Sequence, residues 1–384
     1  MTILPLLLLT LSPIQIDGSF SDWPEGIIRQ ADSNYEYALI TLPSAACLQQ
    51  LPKEMSLQLG AYTITFSPEE KGYGISCTKG TASVSSYEAG VVFAPTTAST
   101  KFELRVHKDD QQALERPFDL KPKGDVRVVS WNVQFGNLLE DSERGKRILK
   151  ALQPDVLLLQ ELDGEDTPEM ISAFLKETLG EQWDVEMTNV TGTERHHQLR
   201  SVIASSKKLD SAKQIGSGSW KQLKAIFASV THKNNSIDLI SLHLRCCGGP
   251  TSEAEEQRQE EAHAIRLFLN SRPTSPLIIA GDWNLVGTAK PLEIVRSDHL
   301  AVAEAFQPDG LLTATWSDAS SAFTPGRLDW MLYSPNTLKV ANCFVLDTKD
   351  LDSESLTKYG LISEDTTELS DHLPLVADFI FISQ

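Results

Sequence analysis

Two hydrophobic rhythms divide this chain. Over residues 16–117 apolar and polar side chains alternate in short runs, as in Tyr37-Ala38-Leu39-Ile40-Thr41-Leu42, Met55-Ser56-Leu57-Gln58-Leu59 and Lys101-Phe102-Glu103-Leu104-Arg105-Val106. Successive side chains of a strand point to opposite faces, so period-two runs punctuated by Gly, Pro and Ser predict a small all-β sandwich. Residues 118–124, just after Pro117, hold Pro122 and two lysines and read as a linker. From 125 to 384 strands alternate with helices. Val126 to Trp131 predicts a strand, Ser142 to Leu152 a helix stopped before Pro154, and Val156 to Gln160 a continuously apolar, buried strand. Lys224 to Thr231 and Ser236 to Leu244 predict a hairpin turning at Asn234-Asn235. A helix follows from Ser252, whose spacing to Glu255 fits a capping box, with Ala262, Ile265, Phe268 and Leu269 facing inward. Leu277 to Ala280, Arg327 to Tyr333, Leu338 to Leu346 and Leu373 to Phe381 complete the strands. Crossover and hairpin connections together predict an α/β architecture of mixed sheets covered by helices.

Length and composition agree with this division. The 384 residues suit two domains at roughly 100–200 residues each. Hydrophobic residues at 41% and charged residues at 22% exclude a disordered tail, a collagen-like repeat and a disulfide-dense miniprotein. The formal charge is −18, of which residues 125–384 carry −14, and that sign opposes a general role in coating a polyanion such as duplex DNA. One stretch runs the other way: Arg195, Arg200, Lys207, Lys208, Lys213, Lys221 and Lys224 meet only Asp210, with His196 and His197 beside them. It reads first as a solvated face and second as an anion-facing surface.

The informative polar residues stand where the apolar strands end. Asn132 follows Ser130-Trp131, Glu161 follows Leu159-Gln160, and Asp282 with Asn284 follows Ile278-Ile279-Ala280-Gly281. His243 closes Ile240-Ser241-Leu242, Asp329 lies in Arg327-Leu328-Asp329-Trp330, and Asp371-His372 lies in Ser370-Asp371-His372-Leu373-Pro374. Side chains at strand ends of α/β sheets emerge from the core into a shared crevice, where ligands sit. Singly, each reads first as a turn or a hydrogen-bonded structural group. As a set they supply metal-assisted phosphate-ester hydrolysis. The oxygen ligands Asn132, Glu161 and Asp371 suit a hard Mg²⁺ or Mn²⁺. Asp282, or His372 oriented by Asp329, offers a base for water, and His243 and Asn284 are available to the leaving oxygen or the phosphate.

These motifs, in this order, resemble the endonuclease/exonuclease/phosphatase superfamily, with the fold of deoxyribonuclease I. The matches are Ser130-Trp131-Asn132-Val133, Leu159-Gln160-Glu161, Ser241-Leu242-His243, Gly281-Asp282-Trp283-Asn284, Arg327-Leu328-Asp329-Trp330 and Ser370-Asp371-His372-Leu373-Pro374. The resemblance implies a four-layer sandwich, two mixed β-sheets packed face to face and flanked by helices, preceded here by the small all-β domain. It implies that Asn132 and Glu161 hold the metal and that Asp371 helps hold it or a second ion. It also implies that Asp282 and Asn284 position the water and the phosphate, and that His243 and the His372–Asp329 pair serve as base, acid or transition-state donors.

Departures from the family bear on substrate. Gln134 stands where apurinic-site endonucleases usually carry Asp, and Asp163 stands where deoxyribonuclease I has a phosphate-binding Arg, so nucleic acid is not favoured. Arg200, in His196-His197-Gln198-Leu199-Arg200-Ser201, is a candidate contact for an anionic group. The reading is a phosphoesterase acting on a diester or a monoester, expected as a monomer. Its alternatives are an extracellular nuclease, and a glycan- or surface-binding protein with a silent second domain.

The segment Ile16-Asp17-Gly18-Ser19-Phe20-Ser21-Asp22-Trp23-Pro24 resembles the opening of family-9-type carbohydrate-binding domains, which implies a cell-surface glycan as a partner; a tight turn with a packed Trp is the plainer reading. Ile3 to Leu11 is apolar and too short to span a bilayer, and residues 1–15 are expected to be a signal segment, so export is expected. No transmembrane helix is predicted. A Cys47–Cys77 bridge is open to question, and the adjacent Cys246 and Cys247 are expected to be small buried loop residues.

Overall fold

The structure is a computed structural model that describes residues 14, 16, 20, 22–26, 28–33, 35–42, 51–69, 72–84, 89, 91–95, 101–108, 119–189, 198–216, 223–249, 251–272, 275–286, 288–308, 313–318 and 326–382. The expected signal segment (apart from Ile14), Cys47, Arg195, His196, His197 and Lys221 lie outside them. No helix among the described residues is long and apolar enough to cross a membrane.

The N-terminal region is all-β. Arg29–Ala31, Tyr35–Thr41, Lys101–His107 and Val92–Pro95 form one four-stranded sheet in that order, and Met55–Leu59, Tyr62–Glu69, Gly72–Lys79 and Ala82–Val84 form another. Period-two alternation gives each sheet one apolar face, and Ala38, Phe102 and Leu104 of the first meet Leu59, Ile64 and Phe66 of the second in one core.

Two six-stranded mixed sheets follow. The first runs Asp184–Met187, Arg200–Ser205, Val156–Leu162, Val126–Asn132, Leu375–Phe381, Leu338–Val345. The second runs Leu209–Gln214, Lys224–His232, Asn235–His243, Leu277–Asp282, Asp329–Tyr333, Ala301–Val302. Each has a parallel pair near its middle, Val126–Asn132 beside Val156–Leu162 and Asn235–His243 beside Leu277–Asp282. Inner faces meet in a core of Val128, Leu158, Ile203, Ile226, Leu239, Ile278 and Met331. Each of these fully buried aliphatic side chains contributes about 1.5–3 kcal/mol.

Helices cover both outer faces. Ser142–Leu152, as expected from the sequence, and Pro168–Leu179 pack Ile148, Leu149, Phe174 and Leu175 on Trp131, Leu157 and Leu159. Glu253–Asn270 and Lys290–Arg296 pack Ala262, Ile265, Leu292 and Val295 on Ile240, Ile279 and Trp330. The result is the four-layer sandwich the resemblance implies. Ile16, Trp23 and Tyr37 of the N-terminal region join this last core, and the Trp23 indole donates to the Glu103 carboxylate at 2.9 Å. The segment read as a linker is held in place: Leu120 is fully buried and the Lys123 amide donates to Asp378 at 3.0 Å.

Two local expectations are corrected. Ser252 caps its helix by accepting from the Glu255 amide at 3.2 Å, but the return half of the capping box is missing because the Glu255 carboxylate is engaged by Arg258, at 2.9 Å, and by Thr288. Cys246 and Cys247 are exposed rather than buried, because Arg258 holds the loop from beneath through the carbonyls of Arg245 and Cys247, at 2.7 and 2.8 Å.

Candidate active site

Strand register assembles half of the site. In the second sheet Lys224 is paired opposite His243, His243 opposite Asp282, and Asp282 opposite Asp329. Residues in register share a face, so these four form a row across four neighbouring strands. Alternation fixes which face. Ile226, Leu239, Ala280 and Met331 point into the core between the sheets, and the row lies two to four residues further along the same face, where the apolar filling ends.

The first sheet supplies Asn132, which continues the inward face of Val126 and Val128, and Glu161, which should not be there. Strict alternation would send Glu161 outward with Leu157 and Leu159. The pairing of Val156–Leu162 with Arg200–Ser205 instead shifts between Leu159 and Leu162, and Glu161 takes a φ of 61°. A bulge of this kind re-aims one side chain. The Glu161 carboxylate consequently comes 3.7 Å from His243 Nε2.

A loop between the sheets brings His372. The Trp131 indole donates to its carbonyl at 2.9 Å, and the Ser370 hydroxyl donates to the Asn132 carbonyl at 2.8 Å while accepting from the His372 amide at 3.1 Å. His372 Nδ1 lies 2.7 Å from Asp329 Oδ2, and its Nε2 lies 3.7 Å from Asp282. Asp329 is steadied in turn by Thr315, whose hydroxyl accepts from the Leu328 and Asp329 amides at 3.0 and 2.9 Å. Asp282 accepts from Asn132 Nδ2 at 3.1 Å and from the Asn284 amide at 2.9 Å, and its Oδ2 is 3.6 Å from His243 Nε2. Asn284, with φ 47°, donates its side-chain amide to the Leu244 carbonyl at 3.1 Å.

Burial sets the electrostatics. It raises Asp282 well above the usual carboxylate range, with the Asp329 and Glu161 carboxylates adding to the effect, and it raises Glu161 as well. It lowers His243 far below an ordinary histidine, so that ring is neutral. At His372 burial also acts downward, but the Asp329 and Asp282 carboxylates outweigh it and hold the ring protonated. Burial lowers Lys224, whose charge is drawn toward Glu161 and Asp282.

Six residues read from the sequence thus converge: Asn132, Glu161, His243, Asp282, Asp329 and His372, with Asn284 bonded to their edge. Among the described residues, ligand atoms of Glu161, His243 and Asp282 lie within 4.8 Å of one another, as do those of Asp282, Asp329 and His372. Asp371 belongs to neither group; it accepts from the Trp316 indole at 3.0 Å while its charge still reaches Glu161 and His372. Arg200, opposite Leu162, donates to the Gly164 carbonyl at 2.8 Å and so braces the turn after Glu161. Lys224, Thr315 and Trp316 were not singled out from the sequence. Lys224 was legible only as one member of a basic stretch whose Lys207, Lys208 and Lys213 are solvent-exposed.

The donor set fits a divalent cation. Glu161 and Asp282 are carboxylates crowded into a buried site where like charge and desolvation hold both above their ordinary pKa. Among the described residues His372 and Lys224 oppose them, and the Asn132 carboxamide oxygen, already accepting from the Gln134 amide at 3.0 Å, has a second lone pair.

Residues 129–372 match the model of the Endonuclease/Exonuclease/phosphatase family. No curated protein matches the chain. Among solved structures the chain is similar to an endonuclease/exonuclease/phosphatase from Bacteroides vulgatus, at 16% identity over 67% of this chain and 99% of that one, with a TM-score of 0.48. It is also similar to the human Nocturnin catalytic domain with bound sulfate, at 22% identity over 69% and 96%, TM-score 0.48. An AP endonuclease from Archaeoglobus fulgidus is similar at 16% identity over 66% and 99%, TM-score 0.46. The matched span covers every one of the six converging residues, and the chain belongs to the endonuclease/exonuclease/phosphatase family, whose members hydrolyse phosphoester bonds.

Proposed function

We propose that the chain is a divalent-metal-dependent phosphoesterase that hydrolyses a phosphodiester or phosphomonoester by in-line attack of water. The observation that carries this reading is the convergence of the His243–Asp282–Asp329 row and His372 on Asn132 and Glu161.

Glu161 and the Asn132 carboxamide oxygen would hold Mg²⁺ or Mn²⁺, with Asp371 alongside. Such an ion, when bound, neutralises a phosphoryl oxygen and the charge that develops on it. The chain's own groups do the rest. Asp282, oriented by the Asn132 and Asn284 donors, accepts the proton of the attacking water, and its raised pKa suits it to that exchange. Asp329 fixes the His372 ring with Nε2–H facing the site, where the protonated ring donates to a phosphoryl oxygen. Neutral His243, whose Nε2 lies 3.6 Å from the Asp282 oxygen that His372 Nε2 approaches at 3.7 Å, contributes a second donor. The −14 charge of residues 125–384 supports a small ester over duplex nucleic acid as substrate.

The test is hydrolysis of bis-p-nitrophenyl phosphate and p-nitrophenyl phosphate by the full chain with Mg²⁺, Mn²⁺ or EDTA, beside Glu161→Ala. Turnover lost with EDTA and with the substitution, in a variant whose circular dichroism matches the parent, is the expected result. Turnover that persists in both would overturn the reading.

A further inference from the structure

The loop that leaves the His243 strand carries two adjacent cysteines with their sulfurs 2.8 Å apart, both exposed. The loop is pinned. Arg258, fully buried and paired with Glu255 at 2.9 Å, donates to the carbonyls of Arg245 and Cys247. The Glu261 carboxylate accepts from the Arg245 amide at 2.8 Å. Cys247 adopts φ 72°, a conformation uncommon for any residue with a Cβ, so its placement is imposed by these contacts.

The two thiols are not equivalent. A hydrogen bond shared with Cys246, helped by the Arg245 and Arg258 guanidinium groups, lowers Cys247 to about 6, while the same contact pushes Cys246 up. Cys247 is thus the more acidic thiol and the better nucleophile of the pair, with Cys246 beside it to resolve, the division of labour of an attacking and a resolving cysteine.

We propose that Cys246 and Cys247 form a redox site that reacts with low-molecular-weight disulfides and closes to a Cys246–Cys247 bond. The Cys247 thiolate attacks one sulfur of the incoming disulfide, whose S–S bond breaks and releases a thiolate that takes a proton from water. Cys246 then gives its proton to solvent and attacks the Cys247 sulfur of the mixed disulfide, expelling the second thiol. Two electrons pass from the cysteine pair to the incoming disulfide, which leaves as two thiols. Adjacent residues across a trans peptide have Cα atoms about 3.8 Å apart, less than the roughly 4.4–6.8 Å of ordinary disulfides. The closed bond is therefore strained and readily reduced, which makes the site reversible. None of this requires turnover of a phosphate ester.

The experiment uses the full chain, reduced and freed of reductant, then incubated with glutathione disulfide, alkylated with iodoacetamide and mapped by peptide mass. The peptide holding both cysteines should lose two hydrogens and both alkylation sites, and dithiothreitol should restore them. Cys246→Ser should stop at a stable glutathione adduct on Cys247. Wild-type protein that keeps both thiols open to alkylation, or that retains an unresolved glutathione adduct, would overturn the proposal.

Discussion

His372 Nδ1 and Asp329 Oδ2 lie 2.7 Å apart, both buried, although one stands in the loop before Leu375–Phe381 of the first sheet and the other opens a strand of the second. The pair fixes the ring's orientation and its proton. Asp329→Asn keeps the shape but removes the charge that holds His372 protonated. It should lower kcat by about 10²–10⁴-fold with little change in KM. Steady-state kinetics on the diester checks this, and an unchanged kcat would remove the pair from the mechanism.

Lys224 lies opposite His243, on the face that lines the site, and its charge is drawn toward Glu161 and Asp282. An ammonium group so placed attracts the substrate phosphate in the ground state and the transition state alike. Lys224→Gln should therefore raise KM by about tenfold and leave kcat nearly unchanged, the signature of lost uniform binding. A fall confined to kcat would show that its charge acts only in the transition state.

Gly281 pairs with Leu242 in the parallel ladder that sets the row. A Cβ there would stand 1.9 Å from the Leu242 carbonyl oxygen. The strands would have to part, and the His243–Asp282 register with them. Gly281→Ala should cost about 3 kcal/mol or more, seen as a lower urea midpoint at unchanged slope. A midpoint equal to the parent's would mean that the ladder tolerates the methyl group.

Burial raises Glu261 from 4.5 to about 7 against the donors that bond it, the Arg245 amide and Gln257. The folded protein therefore binds more protons than the unfolded chain between those two values, so stability falls as pH rises through this window. The contribution is roughly 3 kcal/mol. Urea unfolding from pH 4.5 to 8 should show the decline, and Glu261→Gln should remove most of it. An identical slope in that variant would assign the decline to other groups.

The sequence by itself determined eight of the twelve strands of the two large sheets, the helices Ser142–Leu152 and Glu253–Asn270, and the six residues that converge, because both kinds of signal are local. Hydrophobic period marks each element, and a polar side chain at the end of an apolar strand has no place in a core. The helices Pro168–Leu179, Lys290–Arg296, Ser353–Tyr359 and Asp365–Leu369 lie outside that reading, the first although Thr167 and Gly180 cap it at either end. Tertiary structure decided what depends on partners distant in the chain. Glu161 faces the site only through a bulge against Arg200–Ser205. Lys224 enters the row only through its register with His243, and Cys246 and Cys247 face solvent only because Arg258 holds their loop from within. Register, bulges and the direction of a pinned loop are properties of pairing, and pairing is settled by the whole fold rather than by the segment that shows it.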